Sequence, residues 1–507
     1  MRKKTAVKNS IIGLTSKIVT MILSLVSMKI FMQELGVEVR GLNGLFSNCL
    51  SFLQLTELGI GSAIIYALYK PLVENNTKEV QILMSLYKKI YGYIGIIVIG
   101  LGIIMSFFID FFVTDTQYSK DYLLLIFFIQ LLSAASTYFL AYKRNLIYAD
   151  QKMYVNTFMD MICYIAGTII RIIVMLTLKS YVVYLLVQVA QTIISNLLIN
   201  YWCDKQYPYL KEKITESYDK IEDLKRNVKN LFVGKISGLV YSSTDNLIIS
   251  KCVGILQVGY MAGYYEIINI LKMLSSSITE PIQPIMGNMV QEERDVDRVS
   301  DVFLTFTFIR YCIANIITVG VVIMMNPLIQ IWLGEDFVLA RSISVLLAMD
   351  TFIGIVHGPT GEMISILGLF HKDKKISIGG MLINLVFSIA LVFKLGVEGV
   401  LIGTVLAQVF YWCAKAFVVF QDYFKGYGKK YILRILQYII IWILDIMILS
   451  LIQSKFVTNV NIVTFIMMGC ICVIVSGLSV VVCFYRTAEF KDAWEIAMSV
   501  LKRKKEN

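Results

Sequence analysis

The sequence predicts an all-α integral membrane protein: fourteen transmembrane helices, in two six-helix lobes with two further helices at the C-terminal end. Three observations carry that prediction. The 507 residues are 57% hydrophobic and 16% charged, with a mean hydropathy of +0.71, whereas a soluble chain carries about a quarter charged residues. The apolar residues fall in runs of the ~20 residues needed to cross ~30 Å of hydrocarbon. Lys and Arg alternate between sparse and rich connections, as the positive-inside bias requires.

The spans read in order as 10–34, 41–68, 84–112, 122–142, 154–178, 181–203, 230–252, 258–290, 301–325, 338–368, 376–393, 397–420, 435–453 and 461–485. The first follows a short basic segment (Arg2, Lys3, Lys4, Lys8). Its apolar run is too long for a signal h-region and lacks a small-residue cleavage site, so a retained helix is expected. The connections on one side hold 7 Lys and Arg, and those on the other side, with both ends of the chain, hold 33. That alternation puts both termini in the cytoplasm and makes this a multi-pass membrane protein. The net charge of +11 is therefore spread over the cytoplasmic loops rather than gathered into a nucleic-acid surface.

The polar stretch from Asp204 to Lys229 divides the chain. It gives an N-lobe at 1–203, a cytoplasmic linker at 204–229 and a C-lobe at 230–420, with two extra helices and a basic tail at 421–507. An internal repeat fits the division. The first half opens KNSIIGLTSK and turns at LGVEVRGLNGLF; the second opens KNLFVGKISG and turns at VGILQVGYMAGYY. Gly36 and Gly41 match Gly254 and Gly259 with the same spacing. A related turn, LGVEGVLIG, joins spans eleven and twelve. Parallel repeats of this kind are a transporter architecture with a midplane site at the lobe interface.

Apart from the charges at span ends, which are counted with the connections (Lys88, Lys89, Lys251 and Arg341 among the bases), seven bases lie inside the spans (Lys17, Lys29, Arg171, Lys235, Lys272, Arg310, Lys415), with eight acids (Glu57, Asp160, Asp245, Glu266, Glu280, Asp350, Glu362, Asp445). At ~3 kcal/mol each, exposing them to lipid would cost roughly 45 kcal/mol. They must pair, snorkel or line water. The seventh span is the most polar: Lys235 and Ser242 share a helical face, followed by Ser243, Thr244, Asp245 and Asn246. It reads as a cavity wall or as an interhelical hydrogen-bond seam. The eighth carries Glu266 and Lys272, then Pro281 and Pro284; the tenth carries Asp350, Gly354 and His357, then Pro359. Those prolines interrupt the helix ladder, as hinges or as packing kinks. Lys29 nears the outer end of its span, while Glu57 and Arg310 sit deeper. Asp160 and Arg171 share a face of the fifth span and are expected to pair across helices. Lys415 and Asp445 read as structural.

No catalytic motif is present: the chain has no GxSxG, no Walker A and only short outer loops. Nine cysteines form no CxxC pair and only two histidines exist, so no metal site or cofactor is expected.

The segments ELGIGSAIIYALYKPL (Glu57 to Leu72), LGVEVRGLNGLFSN (Leu35 to Asn48) and KISGLVYSSTDNLIIS (Lys235 to Ser250) carry a resemblance. The chain resembles polysaccharide flippases of the Wzx type, in the multidrug/oligosaccharidyl-lipid/polysaccharide exporter superfamily. The resemblance implies alternating-access flipping of an undecaprenyl-pyrophosphate-linked sugar unit across a bacterial plasma membrane, with the prenyl tail in lipid. It implies working beside glycosyltransferases and a polysaccharide polymerase, and coupling to a proton or sodium gradient. On this reading Lys29, Lys235, Lys272 and Arg310 screen the pyrophosphate. Asp245, Glu266 and Asp350 take sugar hydroxyls or a coupling cation, and Glu57 lines the cavity. Lipid II flippases concentrate arginines in the first lobe, whereas this chain has Lys17, Lys29 and Arg171 there. That balance favours a capsule, teichoic or exopolysaccharide unit over a peptidoglycan precursor. The rival readings are a cation-coupled multidrug exporter of the same superfamily and a membrane polymerase or ligase. First-span lysines argue against the one and short outer loops against the other.

Overall fold

A computed structural model describes residues 2–53, 60–212, 243–280, 282–292, 295–456 and 459–503. Glu57, Lys235 and Pro281 lie outside the described residues, as does most of the linker. The described residues form helices and no strand. By length and composition, eleven of these helical stretches are able to cross a membrane. Two compact units result, Met1–Ala262 and Gly263–Asn507.

The first unit holds α1 (Arg2–Glu34), α2 (Val37–Leu53), α3 (Ile60–Val73), α4 (Thr77–Ser106), α5 (Ile109–Phe112) and α6 (Lys120–Leu140). It continues with α7 (Arg144–Ala149), α8 (Met153–Thr177), α9 (Tyr181–Gln206), α10 (243–252) and the first turns of α11 (Ile255–Thr279). Short polar residues start the long helices. Asn76 Oδ1 accepts from Glu79 N at 3.2 Å to cap α4, and Ser119 and Ser180 cap α6 and α9 in the same way. Each such cap contributes ~1 kcal/mol. The expected span 41–68 appears as α2 and α3.

The matched glycines of the internal repeat have a common physical cause. Gly36 (φ +88°) and Gly254 (φ +123°) stand just before α2 and α11 in the left-handed region that glycine tolerates. Five residues on, Gly41 and Gly259 form a reciprocal close approach. A Cβ on Gly41 would overlap the Ile255 carbonyl oxygen, and one on Gly259 the Val37 carbonyl oxygen. This contact, with Thr114 Oγ1 donating to Ser250 O at 2.7 Å, holds α10 and the start of α11 in the first unit.

The second unit continues α11 and adds α12 (Ile282–Glu292), α13 (Val296–Trp332), α14 (Arg341–Val356), α15 (Gly358–Ile366), α16 (Phe370–Leu395) and α17 (Val397–Asp422). The chain closes with α18 (Gly428–Phe456), α19 (Ile462–Phe484) and α20 (Ala488–Arg503). The expected span 258–290 thus divides into α11 and α12, and 338–368 into α14 and α15. Helix α13 has 37 residues, about 55 Å at ~1.5 Å per residue. It outruns both the expected 301–325 and the hydrocarbon, because Asp295 caps it upstream, Oδ1 accepting from Asp297 N at 3.0 Å. Aromatic rings fill its flank: Tyr311 stacks on Tyr438 with centroids 4.2 Å apart.

The basic tail contains an ordered helix, α20. Glu489 accepts from Arg434 Nε and Nη2 at 3.0 Å each, and Phe490 meets Phe308 edge-on at 6.2 Å. Its polar sequence hides the docking face from a hydropathy reading.

Candidate functional site

In the second unit, the break between α14 and α15 organises the charges. Thr360 N and Oγ1 both donate to His357 O, at 3.0 and 2.6 Å. Pro359 occupies the first turn of α15, where its missing N–H would be unsatisfied anyway. Gly358 leaves room for the Arg310 guanidinium of α13: a Cβ there would stand 2.9 Å from Arg310 Cζ. Arg310 is buried and pairs with Glu362 of α15.

Two more bases reach the same broken helix. Lys272 Nζ of α11 meets Asp350 Oδ2 of α14 at 2.8 Å, with the lysine side chain 42% exposed. Lys415 of α17 lies over Gly361 and pairs with Asp373 at 3.1 Å. His357 Nε2 lies 3.2 Å from Gln408 Oε1 of α17. Three cations from three helices therefore meet α14 and α15, each matched to a carboxylate. Charge-assisted bonds of this kind are short and geometrically selective. Asp445 stands apart on α18, buried and holding Asn315 Nδ2 at 2.8 Å and Ser479 Oγ at 2.7 Å.

In the first unit Asp160 pairs with Arg144, not with Arg171. Arg144 Nη1 and Nη2 donate to the two carboxylate oxygens at 2.7 and 2.9 Å. Its Nε donates to Asn196 Oδ1 at 2.8 Å, and Ser195 Oγ donates to Asp160 Oδ1 at 2.6 Å. Arg171 is buried, donating to Thr168 Oγ1 at 2.9 Å and Tyr184 Oη at 3.2 Å and lying 5.2 Å from the Tyr184 ring centroid. Cation–π attraction serves it where an acid was expected. Arg144 escapes a sequence reading because Lys143 and Arg144 look like a loop, although the apolar helical stretch runs on from Lys120 to Ala149.

Of the other sequence candidates, Lys29 on α1 and Asp245 on α10 are half-buried in the first unit, and Glu266 on α11 is half-buried in the second. Pro284 is the third residue of α12, so it starts that helix rather than kinking it. Glu362, a plain in-span acid in the sequence, emerges as the partner of Arg310.

Comparison with known proteins places this architecture. A family model for polysaccharide biosynthesis proteins matches residues 6–290. No curated protein sequence matches the chain. Among solved structures, the inward closed lipid II flippase MurJ superposes with a TM-score of 0.69 at 14% identity, covering 94% of this chain and 98% of that one. An inward-facing multidrug resistance MATE family transporter of the MOP superfamily gives 0.64 at 14% identity, over 80% and 96%. A MOP superfamily transporter from Pyrococcus furiosus gives 0.53 at 16% identity, over 82% and 94%. At these identities the likeness establishes the fold, which this chain shares with that flippase and those transporters. With the family match spanning more than half its length, the chain belongs to the polysaccharide biosynthesis protein family.

Proposed function

We propose that the protein flips an undecaprenyl-pyrophosphate-linked oligosaccharide from the inner to the outer leaflet of a bacterial plasma membrane by alternating access. It would use fourteen crossings with both termini cytoplasmic. The working parts would be lobes at 1–203 and 230–420, the linker 204–229 and the appended 421–507.

The observation that carries this reading is the Lys272–Asp350 pair, set mid-span with the lysine side chain 42% exposed. A lysine in lipid costs ~3 kcal/mol, so an open one beside a carboxylate is best served by water and a polar cargo. On this reading Lys29, Lys235, Lys272 and Arg310 receive the pyrophosphate, Lys272 and Arg310 through N–H groups other than those donated to Asp350 and Glu362. Asp245, Glu266 and Asp350 take sugar hydroxyls or a coupling proton or sodium ion, and Glu57 lines the path. Pro281, Pro284 and Pro359 would serve as the hinges. An apolar groove of about 830 Å³ in the second unit, lined by Phe417, Ile432 and Leu436, suits a prenyl tail that never leaves the hydrocarbon. Glycosyltransferases would supply the cargo and a polymerase would consume it.

Lys235→Ala is expected to lower surface polysaccharide more than tenfold in a deletion host, with unchanged membrane levels and unchanged resistance to cationic dyes. Normal polysaccharide together with dye sensitivity would favour the multidrug exporter instead.

A further inference from the structure

The first unit contains a cavity of about 450 Å³ with polar side chains set in a largely apolar wall, lined by residues of α1, α6, α7, α8 and α9, to which neither the family nor the sequence assigns a role. We infer that this cavity is a subsite for a neutral, hydroxyl-rich sugar of the lipid-linked cargo. The inference rests on the flippase reading.

The size falls in the range of small-ligand pockets, roughly 300–1,000 Å³. Its chemistry selects among ligands. The Arg144 guanidinium is neutralised by bidentate contact with Asp160 and also engaged by Asn196 and Ser195. A phosphate would have to displace that carboxylate, and an organic cation would have to compete with Arg144 for it. Hydroxyls face neither obstacle. The Asp160 side chain is 46% exposed, and a carboxylate has about four acceptor positions, of which three are filled among the described residues. Gln191 of α9 lines the cavity, with its Oε1 packed against Gly167 of α8. Tyr164 adds an aromatic ring to the wall.

The position suits capture. Asp160 is the eighth residue of α8, about 10 Å along the axis at ~1.5 Å per residue. With the connection before α8 on the cytoplasmic side, the cavity lies in the inner half of the membrane, where cargo is loaded.

The test is saturation-transfer difference NMR on the full chain in nanodiscs, with maltotriose and diacetylchitobiose as soluble probes. Transfer to at least one probe is expected. It should fall at least fivefold in Thr192→Trp, which fills the cavity, and in Gln191→Leu, while Lys394→Gln leaves it unchanged. Nanodiscs carrying polyprenyl-pyrophosphate-linked N-acetylglucosamine should abolish the transfer. Transfer to neither probe, wild-type transfer in monodisperse Thr192→Trp and Gln191→Leu proteins, or persistence against the lipid-linked sugar overturns the assignment. Export in cells is a separate readout: Lys235-dependent export without sugar transfer removes this subsite and leaves the flippase reading standing.

Discussion

Arg310→Ala is expected to abolish polymer export while the protein still reaches the membrane. The guanidinium is buried against Gly358 and paired with Glu362 at the α14–α15 break. Truncating it removes a charge-assisted donor proposed to receive pyrophosphate, a bond worth about 1.5–3 kcal/mol, or some tenfold to a hundredfold in rate. It also strands Glu362, and an uncompensated buried charge costs about 3–5 kcal/mol. The two consequences are separable. Arg310→Met with Glu362→Gln removes both charges, so thermal stability in detergent should recover most of the loss. Export should stay absent. Recovery of export along with stability would make the pair a packing device only.

Gly259→Leu is expected to have the largest effect on folding. The approach of α11 to α2 leaves no space for a side chain: a Cβ would stand 2.6 Å from Val37 Cγ1 and overlap the Val37 carbonyl oxygen. Backbone cannot step aside as a flexible side chain does. Overpacking costs ~1–3 kcal/mol for modest insertions, so a leucine here should exceed that range. Gly41→Ala meets the same contact from the other side, 3.2 Å from Gly259 N. Melting followed by intrinsic fluorescence should show each change lowering the midpoint. The Gly41→Ala/Gly259→Ala pair should lose clearly less than the sum, since the first substitution already parts the helices. Strict additivity would place the two glycines in separate contacts.

These cases show what the sequence discloses. Gly36, Gly41, Gly254 and Gly259 stand out as a repeat because backbone geometry permits no other residue there. Spans stand out because hydropathy is a local property. Partners do not. The Asp160–Arg144 pair joins two consecutive helices and the Arg310–Glu362 pair two helices separated by a third, and no spacing rule reports which cation reaches which acid. Arg144 looked like loop charge because two adjacent bases mask a helix that continues beneath them. The docking of α20 through Glu489 and Phe490 was equally hidden, since its apolar face is one narrow stripe on a polar helix. Pro284 marks a helix start where the sequence suggested a kink, because proline serves a first turn as readily as it breaks an interior.

The flippase reading is tested most directly by reconstitution. Purified protein is placed in liposomes whose inner leaflet alone carries a polyprenyl-pyrophosphate-linked N-acetylglucosamine, and a galactosyltransferase outside labels whatever sugar emerges. The expected result is labelling that rises with time in protein-bearing vesicles, with Arg310→Ala vesicles no faster than empty ones. Equal labelling of wild-type and empty vesicles under both proton and sodium gradients would contradict it.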